Sequence, residues 1–181
     1  MVATRQFTVE EIEAAPPDGM WELVDGELVE VTPAADESSS IGVAVSSLLY
    51  NHVRAGRLGR VYGAEGGFVI FPDRQTVLAP DVAFVTAERA PQGEARKRFP
   101  RLAPDLAVEV RSPSDRYGDL LGKVALYLQA GVRVVWVVDP NSRTVTIFRP
   151  DANAVTLDDT MTIDGGEVLP DFSAPIADFF V

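Results

Sequence analysis

The run VRVVWVV at residues 132–138 limits how this chain can fold more than any other feature. Every position except Arg133 is apolar, so a strand built from this run buries side chains on both of its faces. Such a strand lies inside a sheet that is covered on both sides. We therefore expect an α/β or α+β fold in which one sheet is flanked by helices.

The preceding segment DLAVEVR at residues 105–111 predicts a second strand, and this one has a charged face. Because side chains alternate along a strand, Asp105, Ala107, Glu109 and Arg111 lie on one face, and Leu106, Val108 and Val110 lie on the other. A charged face is most often the solvated side of an antiparallel strand. The position of Glu109, in mid-strand just before the apolar run, favours a functional site instead.

Local patterns predict the other elements. Thr8 and Glu11 have the spacing of a capping box, which indicates a short helix over residues 9–14. The pair Asp25-Gly26 between two alternating runs is typical of a tight hairpin turn. The patterns also predict hairpin strands at 20–24 and 27–32, a helix over 38–54, strands at 60–64, 67–71, 81–85 and 143–149, and a helix that opens near residue 115 and ends at residue 130.

Length and composition indicate one ordinary globular unit. The chain has 181 residues, 46% of them hydrophobic, and no repeat or long Pro/Gly/Ser linker divides it. We predict one domain over residues 1–181, with a single mixed sheet, flanking helices and an N-terminal hairpin. No apolar run is long enough to cross a bilayer, so we expect a cytoplasmic protein with no membrane partner.

The absence of cysteine and the single histidine exclude several kinds of site. Without cysteine there is no disulfide, thiolate metal site or cysteine nucleophile, and one histidine cannot build the usual zinc site. His52 lies near the end of a predicted helix with no sequence neighbour suited to orient it, so we leave it out of the site. Any metal is therefore expected to be a hard cation held by oxygen atoms.

The net charge of -11 argues against a broad non-specific nucleic-acid surface, because such binding depends on Lys and Arg. The acids are concentrated towards the two ends of the chain, and the middle is nearly balanced. A long polar segment at residues 86–104 contains the basic run Arg96, Lys97, Arg98 and Arg101. An anionic partner such as DNA would be met there, and the alternative is a solvated loop.

Three polar residues remain as candidates for a catalytic site. Asp81 begins one predicted strand, Glu109 lies within another, and Lys123 lies in the helix that follows. Two carboxylates from neighbouring strands can bind one Mg²⁺ or Mn²⁺, and a nearby ammonium can orient water or stabilise negative charge. Lys123 is one of only two lysines against fourteen arginines. The alternative is a surface ion pair between Lys123 and Asp119, one helical turn away.

Three separated motifs resemble a known family. They are WELVDGELVEV near the start, PDVAFV at residues 80–85, and PDLAVEVRSPSDRYGDLLGKVALYLQAGVRVVWVVDP at residues 104–140. Their order is similar to that of the Uma-two family of restriction endonuclease-like proteins, within the PD-(D/E)xK nuclease superfamily. The resemblance extends over about residues 7–180. It implies a restriction endonuclease-like fold and a Mg²⁺- or Mn²⁺-dependent endonuclease that hydrolyses phosphodiester bonds of DNA.

The resemblance also implies roles for individual residues. Asp81 corresponds to the first metal-binding acid of the superfamily, and Glu109 corresponds to the second. The superfamily's lysine normally lies two residues beyond the second acid, where this chain has Arg111. The resemblance implies that Lys123 in the next helix replaces it, with Tyr127 one turn further on.

Two further features belong to the same comparison. The superfamily often adds an acid from an early element, and Glu22 and Glu65 are the candidates here. Family members often carry a histidine just before the isoleucine that opens the first long helix, whereas serines at residues 38–40 precede Ile41 in this chain.

Two other functions remain open. One is a catalytically degenerate interaction protein whose acidic surfaces bind a protein partner. The other is a hydrolase dyad that combines Ser112 or Ser114 with Lys123. Exposed sheet edges would permit a symmetric homodimer, and cleavage of both DNA strands would favour one.

Overall fold

The computed structural model describes residues 5–113 and 115–180. Its helices are α1 (Val9–Ala14), α2 (Asp36–Gly56) and α3 (Tyr117–Gln129). Its strands are β1 (Trp21–Val24), β2 (Glu27–Glu30), β3 (Gly59–Gly63), β4 (Phe68–Phe71), β5 (Thr76–Leu78), β6 (Val82–Thr86), β7 (Leu106–Val110), β8 (Val134–Asp139), β9 (Thr144–Phe148), β10 (Val155–Asp158), β11 (Thr162–Asp164) and β12 (Ser173–Pro175). Across these two described ranges, no helix has both the length and the apolar character needed to cross a membrane.

Six strands form the central mixed sheet, in the order β10-β9-β8-β7-β6-β3. β7 and β8 are parallel, and the other neighbouring pairs are antiparallel. A parallel pair needs a long crossover, and α3 lies in the connection between these two strands. The apolar run becomes β8, which is buried at every position from Val134 to Val138. The prediction of an inner strand covered on both sides is therefore confirmed.

Helices cover both faces of the central sheet. On one face, Val45 of α2 belongs to the same hydrophobic cluster as Val108 of β7. On the other face, Val124 of α3 belongs to a cluster with Ala107 of β7. Alternate residues of β7 therefore serve opposite faces, and Glu109 shares the face of Ala107. This alternation directs the Glu109 side chain towards α3.

The N-terminal hairpin belongs to a second sheet, in the antiparallel order β2-β1-β5-β4. Val9 and Ile12 of α1 pack on it, in one cluster with Val77. The mixed α/β class with flanking helices and a hairpin is confirmed. The structure differs from the expected single sheet because β5, a three-residue strand that the sequence did not reveal, pairs with both β1 and β4. β11 and β12 form a separate two-stranded sheet.

Strand β7 has no solvated face. All five of its residues are buried, and Asp105, just before the strand, is 2% exposed. Asp105 accepts a hydrogen bond from the main-chain N–H of Thr86 at 2.9 Å and forms an ion pair with Arg89 at 2.7 Å. The alternative of a wet antiparallel face is therefore wrong. The strand instead carries acidic groups into the interior, where each needs a donor.

Two glycine substitutions, one in β3 and one in α2, are expected to have opposite effects on the free energy of unfolding. At Gly59 in β3, a Cβ would overlap the main-chain carbonyl oxygen of Val85, so we expect Gly59→Ala to lower the free energy of unfolding by about 2 kcal/mol or more. At Gly42 in α2, a Cβ would meet nothing within 4 Å. Gly42→Ala should raise the free energy of unfolding by about 0.5–1 kcal/mol, because alanine favours the helix. Urea denaturation measures the free energy of unfolding of each variant. Equal values for the two variants would contradict the close approach of β3 to β6.

Candidate active site

Lys123 lies at the centre of a buried cluster of charged side chains. Its ammonium nitrogen Nζ is 2.9 Å from Oε1 of Glu22 and 3.0 Å from each carboxylate oxygen of Glu109. The side chain of Lys123 is 20% exposed, against 10% for Glu22 and 8% for Glu109. The ammonium points into the interior, so the alternative of a surface pair with Asp119 is wrong.

Tyr127 is a second donor to Glu109. Its hydroxyl donates a hydrogen bond to Oε1 of Glu109 at 2.7 Å, and its side chain is fully buried. Lys123 and Tyr127 are four residues apart in α3, so both lie on one face of the helix. The neighbouring Leu120 and Val124 are buried between this face and the sheet. The apolar packing of α3 thereby fixes both polar side chains against Glu109.

Glu22 reaches the cluster from the second sheet. It lies in β1, and its Oε1 accepts a hydrogen bond from the main-chain N–H of Ala79 at 2.8 Å. Ala79 lies two residues before Asp81, so this bond also fixes the segment that leads to Asp81. Of the two accessory acids suggested by the sequence, Glu22 joins the cluster, whereas Glu65 lies exposed in the turn between β3 and β4.

Asp81 lies at the start of β6, beside β7. Its Oδ2 accepts a hydrogen bond from the main-chain N–H of Val110 at 2.7 Å, next to Glu109 in the chain. The two strands are antiparallel neighbours, with Val82 opposite Val108. Two carboxylates that are distant in sequence are therefore presented by adjacent strands.

The ammonium of Lys123 contacts Glu22 and Glu109, and its charge also acts on Asp81. Burial raises the pKa of Glu109 to about 8; the charges of Asp81 and Glu22 add to this effect, while Lys123 and the hydroxyl of Tyr127 oppose it. Burial also raises the pKa of Asp81. Burial alone would lower the pKa of Lys123, but the carboxylates of Glu109 and Glu22 raise it above its ordinary value. Lys123 therefore stays an ammonium at neutral pH, and burial favours protonation of Glu109 more than in a solvated carboxyl.

The donor set suits a hard divalent cation. Asp81 and Glu109 offer carboxylate oxygens, the ligands that Mg²⁺ and Mn²⁺ prefer, and the local excess of negative charge favours a cation. In the described ranges, no group of three or more acidic or histidine side chains forms a complete metal site. A cation held by the two carboxylates would therefore need water or substrate oxygens to complete its coordination.

Arg111 lies on the same face of the sheet as Glu109 and is paired with Asp139 at the end of β8. Its Nη1 is 2.7 Å from Oδ2 of Asp139, and its guanidinium carbon is 5.7 Å from the ring centre of Tyr117. Its Nε is buried and has no hydrogen-bond partner among the residues that the structure describes. The sequence patterns did not reveal Asp139. The parallel register could have revealed Asp139, because Val110 lies opposite Val138 and the next residues, Arg111 and Asp139, are therefore also neighbours.

The basic run lies against α1. Arg101 forms ion pairs with Glu10 at 3.0 Å and Glu13 at 3.3 Å, and Arg98 lies 3.9 Å from Glu13. Acidic residues of α1 thus neutralise part of the run. The run is more than a solvated loop, because these contacts join segments about 90 residues apart in the chain.

Ser112 and His52 lie in different parts of the fold. Ser114 lies outside the described residues, and the main-chain N–H of Ser112 donates to Oδ2 of Asp115 at 2.7 Å in the turn before α3. Nε2 of His52 is 2.9 Å from the carbonyl oxygen of Pro170, at the opposite face of the sheet from α3. His52 therefore has a structural contact away from the charged cluster.

Comparison with known proteins identifies the family. The family model Uma2, described as putative restriction endonuclease, matches residues 8–177. The chain belongs to this family. The resemblance drawn from the sequence motifs is thus confirmed, although no curated protein matches the chain.

A solved structure has the same fold as this Uma2 chain. It is a putative nuclease belonging to DUF820 from Anabaena variabilis ATCC 29413, with a TM-score of 0.83 and 20% sequence identity. The match covers 96% of this chain and 97% of the other. At this identity the likeness establishes the fold, and the restriction endonuclease-like architecture is confirmed.

Glu109 gives the metal-free protein a defined pH dependence. Its pKa of about 8 lies above the ordinary value of 4.5, so the folded state binds this proton more tightly than the unfolded chain does. The stabilising contribution of this group is complete below about pH 4.5 and is lost as the pH rises towards 8. Glu109→Gln has no such proton to lose. We therefore expect the free energy of unfolding of Glu109→Gln, taken relative to that of wild type, to increase as the pH rises from about 5 to 8.

Urea titrations in EDTA at several pH values measure this difference. Glu30→Gln, an exposed carboxyl on β2, is the matched control and should show no comparable trend. A constant difference between Glu109→Gln and wild type over this interval would contradict the raised pKa.

Proposed function

We propose that this protein is a divalent-metal-dependent endonuclease that hydrolyses phosphodiester bonds of DNA. Asp81 and Glu109 are the metal ligands, and Lys123 acts beside them. The observation that carries the proposal is the buried assembly of these groups from two adjacent strands and the next helix. Membership of the Uma2 family supports the same reaction class. The fold alone would not support it, because one fold serves many functions.

The residues of the site have separate tasks in this reaction. Asp81 and Glu109 hold the cation, which when bound supplies positive charge that polarises the phosphate and favours deprotonation of water. Lys123 remains protonated, so it does not act as a base and instead stabilises negative charge that develops on the phosphate. Tyr127 fixes the orientation of Glu109 through its hydroxyl.

Arg111 provides a second cation for the substrate. Asp139 holds Nη1, and the side chain of Arg111 is 29% exposed. A partly exposed guanidinium can contact a phosphate oxygen. Arg111 therefore binds a substrate phosphate in this proposal, at the place where the superfamily has its lysine.

Replacement of either proposed ligand should abolish metal response and cleavage together. Asp81→Asn and Glu109→Gln keep the side-chain shape but lose the charge needed for Mg²⁺ or Mn²⁺. We expect both metals to raise the wild-type Tm, and both variants to lose this shift and at least about 10²-fold in kcat on duplex DNA. Differential scanning fluorimetry and a plasmid-cleavage assay provide the two measurements.

Asp73→Asn is the matched control, because this exposed carboxylate lies in the 3₁₀ helix Pro72–Arg74. It should retain both the metal response and the cleavage. A wild-type protein that ignores both metals and leaves DNA intact would refute the nuclease and favour the catalytically degenerate interaction protein.

The basic run is the proposed binding surface for the DNA backbone. Arg96 and Lys97 are exposed, and Arg98 and Arg101 are also accessible although acids of α1 lie beside them. Changing all four residues to Glu should weaken DNA binding and flatten its dependence on salt, by about 0.9 in the logarithmic slope for each phosphate that is no longer neutralised. Binding isotherms at several salt concentrations measure both quantities.

Glu13→Gln should have the opposite effect on DNA binding. It removes the negative charge beside Arg98 and Arg101, while an amide oxygen can still accept the hydrogen bond that the main-chain N–H of Phe99 now donates to Oε1 at 3.1 Å. Tighter binding by this variant and weaker binding by the four-residue variant would together locate the surface. Unchanged binding in both would exclude the basic run.

A further inference from the structure

Glu22 and Glu109 share one ammonium but are anchored in different parts of the fold. Glu109 lies in the central sheet, and both of its oxygens are 3.0 Å from Nζ of Lys123. Glu22 lies in the second sheet, on a strand that is paired on both sides by β2 and β5. Its Oε1 accepts hydrogen bonds from both Lys123 and Ala79. The position of Glu22 therefore does not depend on what Glu109 binds.

A divalent cation on Glu109 would compete with the ammonium for the same carboxylate. Two positive charges at such short range repel each other. This repulsion would drive Lys123 away from Glu109. A buried ammonium without any carboxylate partner is strongly disfavoured, so a second carboxylate is needed to keep it in place.

We propose that Glu22 is the positioning residue for Lys123, which it retains in the site when Glu109 turns to a divalent cation. This inference rests on the proposed function and assigns Glu22 a role other than that of an extra metal ligand. The 2.9 Å contact with Nζ and the independent 2.8 Å bond from Ala79 support it. Lys123 then gives up Glu109 to the cation and keeps Glu22 as its carboxylate partner.

The two lysines of the chain make a direct test possible. Labelling with ¹⁵N-lysine gives one ammonium signal from buried Lys123 and one from Lys97, whose side chain is 73% exposed and serves as the internal reference. We expect Mg²⁺ to shift the wild-type Lys123 signal and leave it protected from solvent exchange. In Glu22→Gln the signal should be protected without Mg²⁺, because Glu109 still holds the ammonium, and should broaden beyond detection when Mg²⁺ is added.

Glu22→Gln keeps the side-chain shape and an acceptor for Ala79, and Glu30→Gln is the matched control that should behave as wild type. Loss of the wild-type Lys123 signal on addition of Mg²⁺ would overturn the proposal. Survival of the Lys123 signal in Glu22→Gln with Mg²⁺ would also overturn it. Neither result would contradict the proposed metal site. A wild-type signal that does not respond to Mg²⁺ would overturn the proposed function as well.

Calorimetry with Mn²⁺ separates a positioning role from metal ligation. Lys123→Met should bind Mn²⁺ more tightly than wild type, because no ammonium competes for Glu109. In that background, the added Glu22→Gln change should alter the Mn²⁺ affinity by less than about threefold, since no lysine remains to be positioned. A loss of about tenfold or more in the double variant would identify Glu22 as a metal ligand and overturn the proposal.

Discussion

The buried ammonium of Lys123 is the interaction on which the site depends. A charge in the interior needs partners, and this one takes them from two sheets at once, Glu22 from β1 and Glu109 from β7. It thereby connects α3 to both sheets. The hairpin that carries Glu22 is for this reason part of the site, and its main-chain partner Ala79 extends the same network towards Asp81.

The charge balance around the ammonium explains why the site suits a cation. Three carboxylates and one lysine leave an excess of negative charge in a poorly solvated place, and burial there raises the pKa of Glu109. A divalent cation would offset this excess of negative charge more fully than the single ammonium does. The proposed roles of Glu22 and Glu109 differ because Glu109 lies on the strand beside Asp81, whereas Glu22 lies in the second sheet.

Much of this site could be predicted from the sequence, because its residues belong to strong local patterns. Alternation along residues 105–111 put Glu109 on a polar face, and the resemblance to the family added Tyr127 one turn beyond Lys123. Local pattern could not decide whether Lys123 points inward or towards Asp119. The burial of β7 on both faces decided it, and that burial depends on α3 covering the sheet.

The features that sequence reasoning missed all depend on long-range pairing. β5 has three residues, too few for a periodic signal, yet it determines that the hairpin joins a second sheet. Asp139 becomes the partner of Arg111 only through the parallel register of β7 and β8. The contact of Arg101 with α1 likewise joins distant segments, so composition alone could not show how far the basic run is neutralised.

In the proposed site, Asp81 and Glu109 hold one divalent cation while Lys123 keeps its contact with Glu22. Anomalous diffraction from a crystal soaked in Mn²⁺ tests it most directly. We expect one peak within about 2.6 Å of an oxygen of each carboxylate, with the ammonium withdrawn from Glu109. The absence of a peak between these carboxylates, with Nζ of Lys123 still in contact with Glu109, would refute the proposed metal site.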